Sequence, residues 1–485
     1  MNPIRIHLIA VTVAVGLAGC TVGPDYEQPE TSLPASFRQA GAAGTAEPRV
    51  DWWASFADPQ LTQLVEGALE TNLDLQAAEA RVRQARAEWS VVAGASQPSL
   101  NAGAQAGRNS ASLNNPQYTI LPDGIPNTLN DFKAGFDASW EVDLFGYNRR
   151  SNEAAEARFG QVQERRNAVA LTVAGEVAAQ YVEYRVAQHR LAVLRETIDL
   201  QADTLRLARI RSEAGVGTDF DAARAEAEWR SLRAQLPPLE ARRLASVQAL
   251  AVLTGRESSG LENELALFGP VPVPAELPPV GLPSDLLTRR PDIRLAERQL
   301  AAATADVGAA VAGQFPRFSL VGTLGLESVE AGDFTDSASR YWSIGSGLVW
   351  PLFNGGRLKN QEEAKRQAAE AALLDYRQTV LRALADVETV LIRYRRQEET
   401  ARELEAARDA ASRAVGWARQ RYQAGENPLT DVLDAQRQLN QVTDQLARLE
   451  GDIALSHVAL NKALGGGWQG EGPVEVSVAD TVSLR

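Results

Sequence analysis

Few residues in this chain are equipped for chemistry. Beyond its leader it keeps two histidines, His189 and His457, each inside a helical pattern. No cysteine–histidine group has the spacing of zinc ligands, and no phosphate loop, nucleophile elbow or dinucleotide fingerprint occurs. Gly465-Gly466-Gly467 follows a helical segment and no strand, so it suits a phosphate poorly. These residues predict no enzyme site, no metal and no cofactor. The residue with a clear chemical fate is Cys20, the only cysteine in the chain. Arg5 precedes an apolar run from Leu8 to Leu17, too short to span a bilayer but suited to a signal peptide over residues 1–19. The run ends Leu17-Ala18-Gly19-Cys20, which reads as a lipobox: cleavage leaves Cys20 first, with its thiol acylated. No second thiol exists for an internal disulfide. Thr21 follows in place of an aspartate, so the inner-membrane retention signal is absent.

A lipid-anchored chain needs elements that meet the membrane, and four segments qualify. Near 99–108, Leu100, Ala102, Ala104 and Ala106 oppose Asn101 and Gln105. Near 132–144, Phe132, Phe136, Trp140, Val142 and Leu144 oppose Lys133, Asp137, Glu141 and Asp143. Near 316–327, Phe318, Leu320, Leu324 and Leu326 oppose Arg317, Ser319, Thr323 and Glu327. Near 341–352, Trp342, Ile344, Leu348, Trp350 and Leu352 oppose Ser343 and glycines. Each run approaches the length a tilted strand needs to cross hydrocarbon, with polar loops over 109–131 and 328–340. A soluble sheet with one wet face would alternate in the same way. No helical segment beyond the leader can span a membrane, so any crossing must use a closed β-barrel. Four strands cannot close one, because the smallest such barrels have about eight. Two or three chains must therefore share it.

The rest predicts long helices. Residues 148–213 hold no proline and would run about 100 Å as helix; 360–424 is similar. Val380, Leu384, Val387, Leu391 and Tyr394 step like a coiled-coil seam, as do Val432 to Ile453. Gly215 and Gly425 are placed to end helices. Thr218 with Asp221 suits a capping box, and Pro428 suits a first helical turn. Pro237-Pro238 should kink or split its helix. The pattern occurs twice. Pro98 recurs as Pro316, and Gly215, Asp221 and Gly255 recur as Gly425, Asp431 and Gly465. Two internal repeats, 60–265 and 284–467, are joined by a proline-rich linker at 266–283. Before them lies an extended segment, 20–59, and after them a tail, 468–485. A formal charge of −13 speaks against nucleic acid as a partner.

Several motifs then converge. Cys20-Thr21-Val22-Gly23-Pro24-Asp25-Tyr26, Trp52-Trp53 with Phe56 and Asp58-Pro59, and Arg289-Arg290-Pro291-Asp292-Ile293 are three of them. Pro351-Leu352-Phe353-Asn354-Gly355-Gly356-Arg357 and Ala463-Leu464-Gly465-Gly466-Gly467-Trp468 are the others. With these the chain resembles the TolC/OprM-type outer-membrane efflux proteins over essentially its whole mature length. The resemblance implies an α+β membrane protein: a homotrimer with a twelve-stranded β-barrel continued by a periplasmic helical barrel of coiled-coil helices. It implies a passive exit duct of a tripartite efflux pump for small toxic compounds or drugs, held by outer-membrane lipid and extending into the periplasm. Its partners would be a periplasmic adaptor and an inner-membrane pump that supplies the energy. A type I protein-secretion duct and a structural coiled-coil lipoprotein are the alternatives. In that family two aspartate rings three residues apart narrow the periplasmic entrance, and they match Asp431 and Asp434. Three residues apart, the two share a helical face, though both carboxylates would also favour a helix N-terminus. The family's tip tyrosine matches Tyr422, and a threonine–aspartate pair matches Thr218-Asp219. An arginine of that network falls on Asn427. The turns Gly215-Val216-Gly217 and Gly425-Glu426-Asn427 would be the adaptor-docking tips.

Overall fold

The computed structural model describes residues 21–39, 49–112, 114, 126–274 and 276–468. Cys20, the leader and the tail beyond Trp468 lie outside them. The described chain divides into two compact units that do not follow the repeat boundary. One holds the residues up to Pro29 with Arg83–Gln161 and Ala296–Tyr376. The other holds Glu30–Val82, Val162–Leu295 and the described residues from Arg377 onward.

The first unit is built on one antiparallel sheet in the order β1 (Ser99–Ser110), β2 (Thr128–Val142), β3 (Arg317–Ser328), β4 (Arg340–Val349). Its register keeps parity: Gln105 faces Lys133, Lys133 faces Glu327, and Gly325 faces Tyr341. Odd-numbered residues therefore share one face across all four strands, and even-numbered residues share the other. The even face carries Phe136, Leu324, Trp342 and Ile344, all exposed. β1 runs on to Ser110 and β2 stops at Val142, short of Leu144, and two other boundaries differ from the alternation pattern by three residues or more. β2 starts at Thr128, inside the stretch read as a loop, because the backbone ladder continues past the last apolar residue (Ser110 to Thr128). β4 stops at Val349, before Pro351, which has no N–H to donate. Trp350 still fills the place of Trp140: the Trp140 indole donates to Ser96 O and the Trp350 indole to Gln314 O, both at 3.1 Å. The repeat thus extends to single hydrogen bonds.

Beside the sheet, the chain start is clamped. The Arg150 guanidinium, 5% exposed, donates to Val22 O, Gly23 O and the Asp25 carboxylate, the last at 2.6 Å. Gly23 at φ +88° lies so close to Gly308 that a Cβ would stand 2.6 Å from its Cα. That contact gives the Val22-Gly23-Pro24 motif its physical reason. Asp306 accepts from Arg158 and Lys365, at 2.7 and 2.9 Å.

The second unit is helical. Asp58 caps α1 (Pro59–Thr71) by accepting from Gln60 and Leu61 N–H, with proline in its preferred first place. α2 (Leu73–Gly94) follows and leads into the first unit. α3 (Tyr147–Glu213) and α9 (Arg357–Gln423) are 67 residues each, matching the two proline-free stretches. The return helix of the first repeat is split into α4 (Asp219–Arg233) and α5 (Leu236–Thr254), with Pro237 and Pro238 in the first turn of the second piece. Its counterpart α10 (Leu429–Ala463) runs unbroken for 35 residues. Pro428 is its N-cap, not part of its first turn, because ψ of 160° is extended. Short helices α6 (Ser258–Leu265) and α7 (Leu286–Arg289) follow, and the 22-residue α8 (Pro291–Ala312) runs from this unit into the first. The core joins Trp52, Trp53 and Phe56 to Leu61 and Leu64 of α1 and to Val177 and Tyr181 of α3. Leu250 of α5, Leu261 of α6 and Val458 of α10 close it. No helix among the described residues is long and apolar enough to cross a membrane.

Candidate functional site

Both long helices end in the same way. Gly215 at φ +72° donates to Ser212 O at 2.9 Å, and Val216 donates to Arg211 O at 3.0 Å. In the second repeat Gly425 at φ +77° donates to Tyr422 O at 3.0 Å, and Glu426 to Arg421 O at 2.9 Å. A Cβ would meet nothing within 4 Å at either glycine, so the left-handed backbone alone requires glycine there. Gly217 follows within the first turn, and Val216 beside it is 67% exposed. Glu426 is exposed and pairs with Arg421 at 3.5 Å.

A small core holds the two reversals together. Leu205 and Ala208 of α3, Ala225 of α4, Tyr422 of α9, and Leu429, Val432 and Leu433 of α10 form one cluster. Tyr422 is buried in it, which raises the pKa of its hydroxyl, and the Arg211 guanidinium lies 4.9 Å from the ring centre. Thr218 accepts from Asp221 N–H at 3.1 Å as the N-cap of α4, and its hydroxyl donates to the Asp221 carboxylate at 2.7 Å. Asp219 accepts from Ser212 at 2.6 Å. Within one chain, Thr218 and Asp219 therefore serve the turn that carries them.

Asp431 and Asp434 share the exposed face of α10, with Val432 and Leu433 buried between them. Asp431 sits in the first turn and accepts from the Asn427 amide at 3.4 Å. It has no cationic partner among the described residues. Asp434 differs, for Arg437 lies at 3.3 Å and Arg224 of α4 at 3.7 Å. Arg437 also donates to Glu228 at 3.0 Å, and that bond holds its pKa above the ordinary arginine value. Two arginines against three carboxylates leave one net negative charge, and Asp431 is the unneutralised member. Of the residues read from sequence, the structure brings Asp431 and Asp434 onto one exposed face and packs Tyr422 in the core with the buried Val432 and Leu433 of the same helix. It adds Arg211, Arg224, Glu228 and Arg437. The Asp434–Arg437 pair was visible as an i,i+3 spacing. The Arg224–Asp434 pair joins two helices and leaves no local trace. No group of residues suited to a metal ion occurs among the described residues.

A family model described as outer membrane efflux protein matches residues 64–256 and 282–466. The pyoverdine export outer membrane protein OpmQ of Pseudomonas putida is 34% identical, covering 96% of this chain and 98% of its own. The solvent efflux pump outer membrane protein SrpC of Pseudomonas putida is 32% identical, covering 93% and 96%. Among solved structures, the outer-membrane channel OprN superposes with a TM-score of 0.86 at 33% identity, covering 93% of this chain and all of that one.

Proposed function

The chain belongs to the outer membrane efflux protein family, and on that premise we propose that three copies form the outer-membrane exit duct of a tripartite efflux pump. The observation that carries this reading is the sheet: four strands whose even face is apolar and exposed in a single chain, and whose odd face is polar. Three such sheets supply twelve strands, enough to close a barrel with lipid outside and water within. The helices continue the duct into the periplasm, and acylated Cys20 adds a lipid anchor. A periplasmic adaptor docks at the turns around Val216 and Glu426, and an inner-membrane pump supplies the energy. The protein is a conduit and not an enzyme. Its cargo is small organic compounds, in keeping with relatives named for pyoverdine and solvent export.

The entrance lies where α10 begins. Three Asp431 carboxylates converge there on the trimer axis and attract cations into a narrow, poorly screened site. Asp434 contributes less, because Arg224 and Arg437 offset it. Bilayer conductance with a trivalent cation at the periplasmic side tests this. Asp431→Asn should abolish block and reduce cation selectivity, while Asp434→Asn alone should retain most of both. Equal losses in the two variants, or block that persists in the double variant, would overturn the assignment.

A further inference from the structure

The odd face of the sheet holds an aromatic ring folded flat against the wall. At one level of the ladder Gly103 pairs with Gly135, Gly135 with Gly325, and Gly325 with Tyr341. Side chains on strands ordinarily stand perpendicular to the sheet. Tyr341 does not. A Cβ at Gly325 would lie 2.9 Å from Tyr341 Cε1, and one at Gly135 would lie 3.0 Å from the Tyr341 hydroxyl oxygen. The ring therefore crosses β3 and reaches β2 over two glycines, where a Cβ would also press on the neighbouring strand's backbone, on Ala134 O from Gly325 and on Leu324 O from Gly135. Lys133 covers it, with Nζ 4.7 Å from the ring centre and 3.7 Å from the carboxylate of Glu327, its cross-strand partner. Tyr341 is the second residue of β4, next to the β3–β4 connection. That end of the sheet is opposite the one where the helices leave, so it is the external end.

We propose that Tyr341 sets the bore of the duct at the external end of the β3–β4 hairpin, seven residue pairs short of the end of the β1–β2 ladder. Laid in the Gly135–Gly325 recess and capped by Lys133, the ring stays out of the passage. Standing upright, three such rings would narrow it. Solutes leaving the barrel meet backbone and ammonium groups at this level, not aromatic faces. This rests on the odd face being the lumen, and the test separates the two claims.

Ser139 lies on the odd face, further from the mouth, and is exposed. Trimers carrying Ser139→Cys are labelled on whole cells with maleimide–polyethylene glycols of graded size. If the smallest reagent never reaches the thiol, the duct reading itself is wrong. If it does, the ring is tested by filling its recess. Gly325→Ala should slow labelling by large reagents at least tenfold while leaving the small ones unaffected. Adding Tyr341→Ala to that variant should restore the original rates, and Tyr341→Ala alone should change them by less than twofold. The methyl at Gly325 also presses on β2, so Gly325→Ala trimers are first checked for assembly; if they do not assemble, Tyr341→Ala alone decides. Faster entry of large reagents in Tyr341→Ala would mean that the ring already stands in the passage, and would overturn the proposal. So would a slow Gly325→Ala variant that Tyr341→Ala does not rescue, or an assembled Gly325→Ala variant with unchanged rates.

Discussion

His457 should make the folded chain sensitive to mild acid. It sits on α10 with 1% of its surface exposed, between the edges of Tyr394 and Phe56, whose ring centres are 4.8 and 6.2 Å away. Its backbone carbonyl accepts from Asn461, but neither ring nitrogen has a partner among the described residues. Burial without a partner disfavours the imidazolium ion and lowers the pKa from 6.5 to about 4. The unfolded chain binds this proton near the ordinary value and the folded chain only near the lowered one. Between those two values the unfolded state holds more protons, so stability falls as pH falls. The contribution is complete above about pH 7, declines through the window, and is lost below about pH 4. Two to three pKa units correspond to about 3 kcal/mol per chain. His457→Leu keeps a buried apolar body and removes the titration. The assay is the thermal midpoint of the detergent-solubilised protein at a series of pH values for wild type and variant, since carboxylate effects common to both cancel. The wild type should lose its midpoint faster than the variant between about pH 6.5 and pH 4. Parallel curves would refute the reasoning, as would an imidazole titrating near its ordinary value in the folded protein.

Three further outcomes follow from features described above. Leu320→Arg places a charge on the lipid side of β3 and should cost about 2–4 kcal/mol near the bilayer midplane, whereas Ser319→Arg faces the lumen; trimer yield on semi-native gels compares them, and equal defects would contradict a transmembrane barrel. Cys20→Ser should abolish incorporation of labelled palmitate while trimers still insert, which metabolic labelling and membrane fractionation read directly. Arginine in place of the exposed Val216 should weaken adaptor capture without loss of trimers, measured by site-specific cross-linking at the two turns; capture that never occurs from either turn would refute the docking assignment.

The features most legible in the sequence were those with a local physical cause. Pro237-Pro238 had to interrupt a helix, and the break falls between Arg233 and Leu236. Gly215 and Gly425 had to permit positive φ, and both do. Alternation marked the two faces of the sheet because a barrel wall separates lipid from water at every second residue. What stayed hidden depended on residues distant in sequence. The reach of β2 to Thr128 is set by its partner Ser110, not by the hydropathy of its own polar start. Val22-Gly23-Pro24 was recognisable as a motif, but only the fold brings Gly308 against Gly23 and explains it. At the start of α10, Asp431 and Asp434 look alike in sequence. Arg224, reaching from another helix, makes them unequal.

The odd-with-odd register also bears on how this chain can change length over generations. A single residue gained inside β2 or β3 would carry Lys133, Asp137 or Glu327 into lipid and bring apolar side chains into water. Strand length can therefore drift only in pairs, and unpaired gains must fall where no ladder counts residues. The two repeats differ in length by an even number. β1 and β3 are both 12 residues long and correspond at an offset of 218, from Ser99 and Arg317 to Ser110 and Ser328. By Trp140 and Trp350 the offset is 210. Six of the eight residues of difference lie in the connection of the first hairpin, residues 111–127 against 329–339, and two lie in the paired start of β2, Thr128 and Leu129. Divergence between the repeats is thus concentrated in that connection and the strand end beside it, while β1 and β3 have kept the same length.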